Sequence, residues 1–493
     1  MGQFIYCLAV VLVIFEGIII QCEGAGGGMV GEAESSNRRQ DPSPIAAKKE
    51  QRLLKLHLVD LIDKKKLYTT LQESLQNGER NANMPSVSNI LQNCIIVIET
   101  DELLLGEETD AYCEAGDLFL KFRDYKELEK FFKKFGAHIK KIQFDNYEDE
   151  DDEIYTNIVR LIQGCANNLE ELRIDNGDGN DEKFWKDLTV EGKDIVFPKV
   201  KTFELVGESV KTPFELHTIF PELENFRLLG WVNDGNCLAN VVELNEIAVN
   251  TEAIEENELY VILKNNRNLK KIYLGMPKRI ETMQAIESFS TKLNRLLVVD
   301  PGEDFLLKGE NSRVCELLSV THFDITFSES YENAGEILFK DLSFDMPKLK
   351  KLTLVFKRYI PDDIYEFTNK IVEFTKKFKE LNKVVLPEIK YHAVEYIKKL
   401  QHIKKLTMNY EEPYIGSLEK IFKGLEENSE LQTLKLQFRD QSLFENYKAN
   451  MGKFIDDLKG HGERKWTLTD KKKIATKKSY LIFNRKPCKS CYK

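Results

Sequence analysis

Twelve times between Ile139 and Phe438 the chain repeats a six-residue phrase whose first, fourth and sixth residues are apolar. The copies are IKKIQF (139–144), LEELRI (169–174), VKTFEL (200–205), LENFRL (223–228), LNEIAV (244–249), LKKIYL (269–274), LNRLLV (293–298), VTHFDI (320–325), LKKLTL (349–354), LNKVVL (381–386), IKKLTM (403–408) and LQTLKL (431–436). They start 21 to 32 residues apart, and each is expected to follow a helical stretch. Side chains alternate faces along a strand, so positions 4 and 6 share one face and positions 3 and 5 the other. A single strand-plus-helix unit cannot bury its own apolar face, so such units stack with neighbours on both sides. The expected fold is therefore an α/β solenoid, with a parallel concave sheet and helices on the convex side.

Within the array, apolar residues recur at three- and four-residue spacing in 156–168, 256–266, 362–378 and 416–429, giving each helix one buried face. Twelve strands about 4.8 Å apart make a sheet on the order of 50 Å long. Position 9 of the phrase never carries the asparagine that bonds the loop backbone in regular repeats, which points to an uneven solenoid. Residues 47–138 read as an N-terminal helical cap with room for one or two degenerate repeats. Its helical stretch stops at Asn77-Gly78, and β-like runs follow at Cys94–Ile98 and Leu118–Phe122. Residues 139–440 are the array and 441–493 a C-terminal cap with a basic tail. In that cap a helix near 444–458 and an edge strand at KSYLIF (478–483) are expected, with Lys471–Lys473 discouraging further strand addition.

With 493 residues, 42% apolar and 31% charged, the chain suits a soluble repeat body. A net charge of −10 argues against a dedicated nucleic-acid binder. No phosphate-cradling GxxxxGK[ST], GxSxG elbow or HExxH is present, so an enzyme is not expected. The acidic runs EDEDDE (148–153) and DNGDGNDE (175–182) do not fit a calcium-binding EF-hand loop and read as solvated turns. No metal or cofactor is expected. The nine cysteines are scattered, and the pair Cys488 and Cys491 has no second pair to complete a zinc site. Cys165 and Cys315 are expected to be buried free thiols on repeat helices.

The run FIYCLAVVLVIF (4–15) has the length of a signal-peptide core rather than a membrane span. Cys22 and Gly24 suit the small positions of a cleavage site, giving residues 1–24 as signal and 25–46 as a Gly-, Ser- and Pro-rich linker. A secreted protein with no membrane span after cleavage is the preferred expectation. Against it stand the lack of Lys or Arg ahead of the apolar run and the absence of any Asn-X-Ser/Thr sequon among 32 asparagines. A cytoplasmic protein, or one anchored by residues 4–20, is the alternative.

The segment LIQGCANNLEELRI (161–174) resembles the cysteine-type leucine-rich repeat, with one extra residue between Cys165 and Leu169. Together with FRDYKELEKFFKKFGAHIKKIQF (122–144) it is similar to the divergent leucine-rich-repeat group of insects, many of which carry an F-box ahead of the repeats. The resemblance covers roughly 118–438 and implies a leucine-rich-repeat horseshoe. In the F-box relatives it also implies substrate reception for a ubiquitin ligase. Residues 1–117 show no F-box pattern, so that role belongs to the alternative, an intracellular adaptor that lacks the F-box.

Positions 3 and 5 from the sixth copy onward hold Lys271, Arg295, Lys351, Lys383, Lys405 and Lys435 against one acid, Asp324. Six bases in a lane can focus field on an acidic partner. Tyr273 beside Lys271 is the expected aromatic anchor. The sequence thus predicts a non-catalytic repeat protein that binds a protein partner, an acidic one if this lane is used, on the concave face.

Overall fold

The computed structural model describes residues 64–485, apart from 78–86, 93, 104–109, 115–116, 146–151, 176–188, 191–192, 211–215, 233–239, 252–253, 255, 309–312, 329–341, 357–363, 387–392, 410–419, 422–423, 426, 439–465 and 474–477. The apolar run at 4–15, the linker, most of both acidic runs, the helix expected near 444–458 and the Cys488–Cys491 pair lie outside the described residues. Among those described, no helix is long and apolar enough to cross a membrane. The chain divides into two compact units, residues 1–244 and 245–493.

The first unit contains β1 (Cys94–Glu99), β2 (Asp110–Glu114), β3 (Asp117–Phe122), β4 (Lys141–Asp145), β5 (Glu171–Asp175), the short hairpin β6 (Thr189–Val190) and β7 (Lys193–Asp194), β8 (Thr202–Val210) and β9 (Asn225–Val232). Its main sheet runs β2–β3–β1–β4–β5–β8–β9, parallel throughout except that β2 lies antiparallel on β3. Strand β1 sits between β3 and β4, so the order is not sequential at the start. Helix Tyr125–Phe135 and the turn Gly136–His138 carry the chain from β3 past β1 to β4. That helix is capped by Asp124, whose carboxylate accepts from the Glu127 amide at 2.8 Å. It buries Leu128, Phe131, Phe132 and Phe135, and Phe131 packs on Phe122 of β3 with ring centroids 4.9 Å apart.

The second unit contains β10 (Glu246–Asn250), β11 (Lys271–Gly275), β12 (Arg295–Val299), β13 (Cys315–Glu316), β14 (His322–Phe327), β15 (Phe344–Asp345), β16 (Lys351–Phe356), β17 (Lys383–Leu386), β18 (Lys405–Asn409), β19 (Thr433–Phe438), β20 (Trp466–Lys473) and β21 (Lys478–Arg485). Its main sheet is parallel and sequential, β10–β11–β12–β14–β16–β17–β18–β19. The β20–β21 hairpin then closes it antiparallel, β21 on β19. WTLTD (466–470) is thus a strand of that hairpin, and β20, carrying Lys471–Lys473, lies outermost in it.

Every one of the twelve phrases becomes a strand, and each strand begins at phrase position 3. All residues at positions 1, 4 and 6 are no more than 5% exposed. The backbone explains why the register repeats. The position-2 carbonyl of one phrase accepts from the amides at positions 2 and 3 of the next. Lys140 does so for Glu170 and Glu171, and Lys350 for Asn382 and Lys383. The same pattern recurs at Glu170, Lys201, Asn245, Lys270, Asn294, Thr321, Asn382 and Lys404. A slip of one residue would break this fork and turn every apolar side chain outward.

A fourth buried position, three residues before each phrase, was not legible as part of it. At most copies its carbonyl accepts from the position-1 amide, as Phe197 does for Val200, Phe220 for Leu223, Met346 for Leu349 and Phe378 for Leu381. Apolar side chains there fill the corner of each turn, and Phe203 stacks on Phe220 at 4.5 Å between centroids. Two asparagines take the same position. Asn428 donates to the carbonyls of Ile397 at 2.6 Å and Leu400 at 3.3 Å. Its Oδ1 accepts from the amides of Glu430 at 3.0 Å and Leu431 at 2.9 Å. Asn266 donates to Ile262 O at 2.8 Å.

The returning segments are less uniform than expected. Full helices occupy Asp152–Cys165, Glu256–Asn265, Ile280–Phe289, Ile364–Lys376 and Ala393–Lys399. Before β9 and β14 the described helices shrink to Leu216–Ile219 and Glu303–Leu306. Between β12 and β16 a second parallel pair, β13 with β15, takes the outer layer. Cys315 therefore lies on a strand, not on a repeat helix. It is a free, buried thiol like Cys94 and Cys165.

Candidate functional site

Positions 3, 5 and 7 face away from the apolar layer, and strand pairing arranges them in rows across each sheet. In the first unit these rows are charge-compensated. Lys121 pairs with Glu99 at 2.5 Å and Lys141 with Glu171 at 2.9 Å. Glu204 stands between Arg173, at 3.6 Å, and Arg227, at 3.5 Å. Glu99, Asp145 and Asp175 occupy one register row across β1, β4 and β5. Burial raises the Asp145 carboxyl to about 7, although Gln143 donates to it at 2.8 Å and Arg173 lies nearby. Among the described residues no group of three or more His, Cys, Asp and Glu side chains could hold a metal.

The second unit carries the expected basic lane, and five of its six bases share a single register row. Glu246 on β10 pairs with Lys271 on β11, then Arg295 on β12, His322 on β14, Lys351 on β16, Lys383 on β17 and Lys405 on β18. Lys435 is in the next row, opposite Thr407. Tyr273 and Asp324 are in that row too, opposite Ala248 and Thr353 respectively.

Burial divides this row. Lys271 is half-exposed and reaches Glu246 at 2.9 Å. Arg295 and Asp324 are buried and bonded to each other, and Lys351, also buried, approaches the other Asp324 oxygen at 4.0 Å. Burial alone would raise Asp324, but Arg295 and Lys351 outweigh it and hold the carboxyl below its ordinary value. His322 lies between Arg295 and Lys351, and burial together with Lys351 holds its imidazole below the ordinary value, which favours the neutral form. Its Nδ1 sits 2.9 Å from the Thr321 hydroxyl. Lys383 is half-buried and Lys405 exposed. Burial, then Lys351, Lys435 and Lys405, lower the Lys383 ammonium to about 8.

Two expectations need correction. Tyr273 is 1% exposed, so it is a core residue of this face rather than a presented anchor. Arg295 and Lys351 are buried beside Asp324 rather than displayed. For Tyr273 the reason is that β10 and β12, on either side of β11, are buried at every residue, on both faces, and β16, which carries Lys351, is buried at five of its six residues. The signal was in the sequence: Ala248, Leu297 and Val385 at position 5, with Val299 at position 7, make near-continuous apolar runs typical of strands covered on both sides. His322 was also missed, as a histidine in a row of bases.

Compared with families of known proteins and with curated proteins, this chain matches none. The chemistry is therefore read from the row itself. Its lysines are point-charge donors, and the arrangement can hold an anion.

Proposed function

We propose that the chain is a non-catalytic leucine-rich-repeat protein, its parallel strands lining a horseshoe, that binds an acidic protein partner through the basic row of the second unit. The observation that carries this reading is the run Lys351, Lys383 and Lys405 in direct register, with Lys435 in the neighbouring row and Asp324 4.0 Å from Lys351. Charge of one sign on a pre-formed sheet steers encounter and is sensitive to salt.

The test reverses the accessible charges, Lys383→Glu with Lys405→Glu, leaving Lys351 to Asp324. Partner capture is expected to fall sharply at low salt. Reversing Lys376 and Lys377 beside helix Ile364–Lys376 should leave capture unchanged. Equal loss from both pairs would remove the row from the function.

The apolar core at 4–15 supports a secreted product beginning near Ala25. A second reading, an intracellular adaptor without an F-box, is favoured by the free buried thiols Cys94, Cys165 and Cys315. Sequencing the mature N-terminus separates them: Ala25 in culture medium supports secretion, and an intact Met1 or Gly2 found in cells alone supports the adaptor.

A further inference from the structure

Cations on the strand faces of both units are matched by acids until β16. In the first unit Lys121, Lys141, Arg173 and Arg227 each have a carboxylate within 4 Å, and in the second so do Lys271 and Arg295. Beyond that point the matching thins among the described residues. Lys351 has a share of Asp324 at 4.0 Å, whose other oxygen Arg295 holds. Lys383 and Lys405 have no acid within ion-pair distance among the described residues. Lys435 acts electrostatically on both Lys351 and Lys383, so its ammonium reaches back toward them. Four ammonium groups thus converge over β16 to β19, three strand spacings or about 14 Å.

Such crowding is costly where water is scarce, because each like charge opposes its neighbours and desolvation opposes Lys351 and Lys383 as well. The lowered Lys383 ammonium is one result of it. What relieves the crowding must be compact, since the four groups face one patch, and must bring more than one charge, since Asp324 is already engaged by Arg295. A carboxylate brings one. A phosphate monoester brings about 1.5 to 2 negative charges at pH 7 with three acceptor oxygens. Lysine is suited to such a group as a point charge, and Thr407, half-buried beside Lys435 in register, adds a hydroxyl on the same face.

We propose that Lys351, Lys383, Lys405 and Lys435 form a binding site for a tetrahedral dianionic oxyanion of the phosphate-monoester class. This rests on the reading of the row as an anion-binding face and narrows what that face recognises.

The test uses the full chain at fixed ionic strength, held constant with chloride. Inorganic phosphate, N-acetyl-phosphoserine amide and N-acetyl-glutamate amide are titrated by calorimetry and by thermal shift. Saturable binding of at least one phosphate probe is expected, at least tenfold tighter than the glutamate probe. The paired change Lys383→Gln and Lys405→Gln should weaken it at least tenfold, and Lys376→Gln with Lys377→Gln should not. Lys405→Gln alone, at an exposed position, supplies the same comparison if the pair does not fold. A monoester that binds more tightly than inorganic phosphate identifies a partner-borne group, whereas equal affinities identify free phosphate. Equal binding of phosphate and glutamate probes would overturn the dianion site and leave the acidic-partner reading standing. No saturable binding, or binding unchanged by Lys405→Gln and the pair, would also overturn it, while partner capture remains a separate test of the broader reading.

Discussion

Lys351 and Lys383 face each other in direct register across β16 and β17, two ammonium groups side by side on a parallel sheet. Lys351 has Asp324 at 4.0 Å, whereas Lys383 has no acid within ion-pair distance among the described residues and feels Asp324 less than it feels the neighbouring lysines, so the second lysine carries more of the strain.

Replacing Lys383 by Met is expected to stabilise the second unit at neutral pH by on the order of 1 kcal/mol, after allowance for its partial exposure. The sign follows from proton binding. The folded amine loses its proton near 8 and the unfolded one near 10.5, so between these values the unfolded chain binds more protons. Wild-type stability from this group therefore rises with pH across that window. Chemical denaturation at pH 7 and pH 10 checks this: the advantage of Lys383→Met should shrink at the higher pH, and a constant difference would refute the assignment.

Asp145 predicts the opposite slope for the first unit. Its folded carboxyl titrates near 7 against 3.8 in the unfolded chain, so the folded state holds the proton longer. The contribution is present in full below pH 3.8 and is lost as pH rises to about 7, by on the order of 4 kcal/mol. Asp145→Asn should flatten that part of the stability profile, measured by denaturation from pH 4 to pH 8.

Asp324→Asn removes the carboxylate that Arg295 and Lys351 share and leaves two buried cations facing each other. A loss of about 3–5 kcal/mol is expected by thermal or chemical unfolding. Adding Arg295→Met to Asp324→Asn should recover part of it. A single variant as stable as wild type would show that this pair is not buried in solution.

Cys94, Cys165 and Cys315 should resist alkylation in the native protein and react once it is denatured. Burial raises the Cys165 thiol to about 12 and moves Cys315 upward, so neither forms thiolate near neutral pH. Mass spectrometry before and after denaturant counts them, and a disulfide at any of the three would contradict the structure.

Periodicity made the twelve strands legible, though each starts two residues into its phrase, because positions 1, 4 and 6 must all be apolar for one face to close. It also marked helices such as Asp152–Cys165 and Ile364–Lys376. The sequence alone likewise placed Lys271, Arg295, Lys351, Lys383 and Lys405 at equivalent positions, since every copy shares one register.

What it did not decide depended on residues brought together from distant copies. The order β3–β1–β4 arises from pairing that skips a strand, which no local pattern encodes. The burial of Tyr273 follows from cover on the second face, and the difference between Lys351 and Lys405 follows from the single carboxylate of Asp324 on a neighbouring strand. The phrase dictates which side chains share a face, through backbone geometry that acts within a few residues. The charge state and exposure of those side chains come from desolvation and Coulomb forces between strands, and these exist once the sheet has assembled.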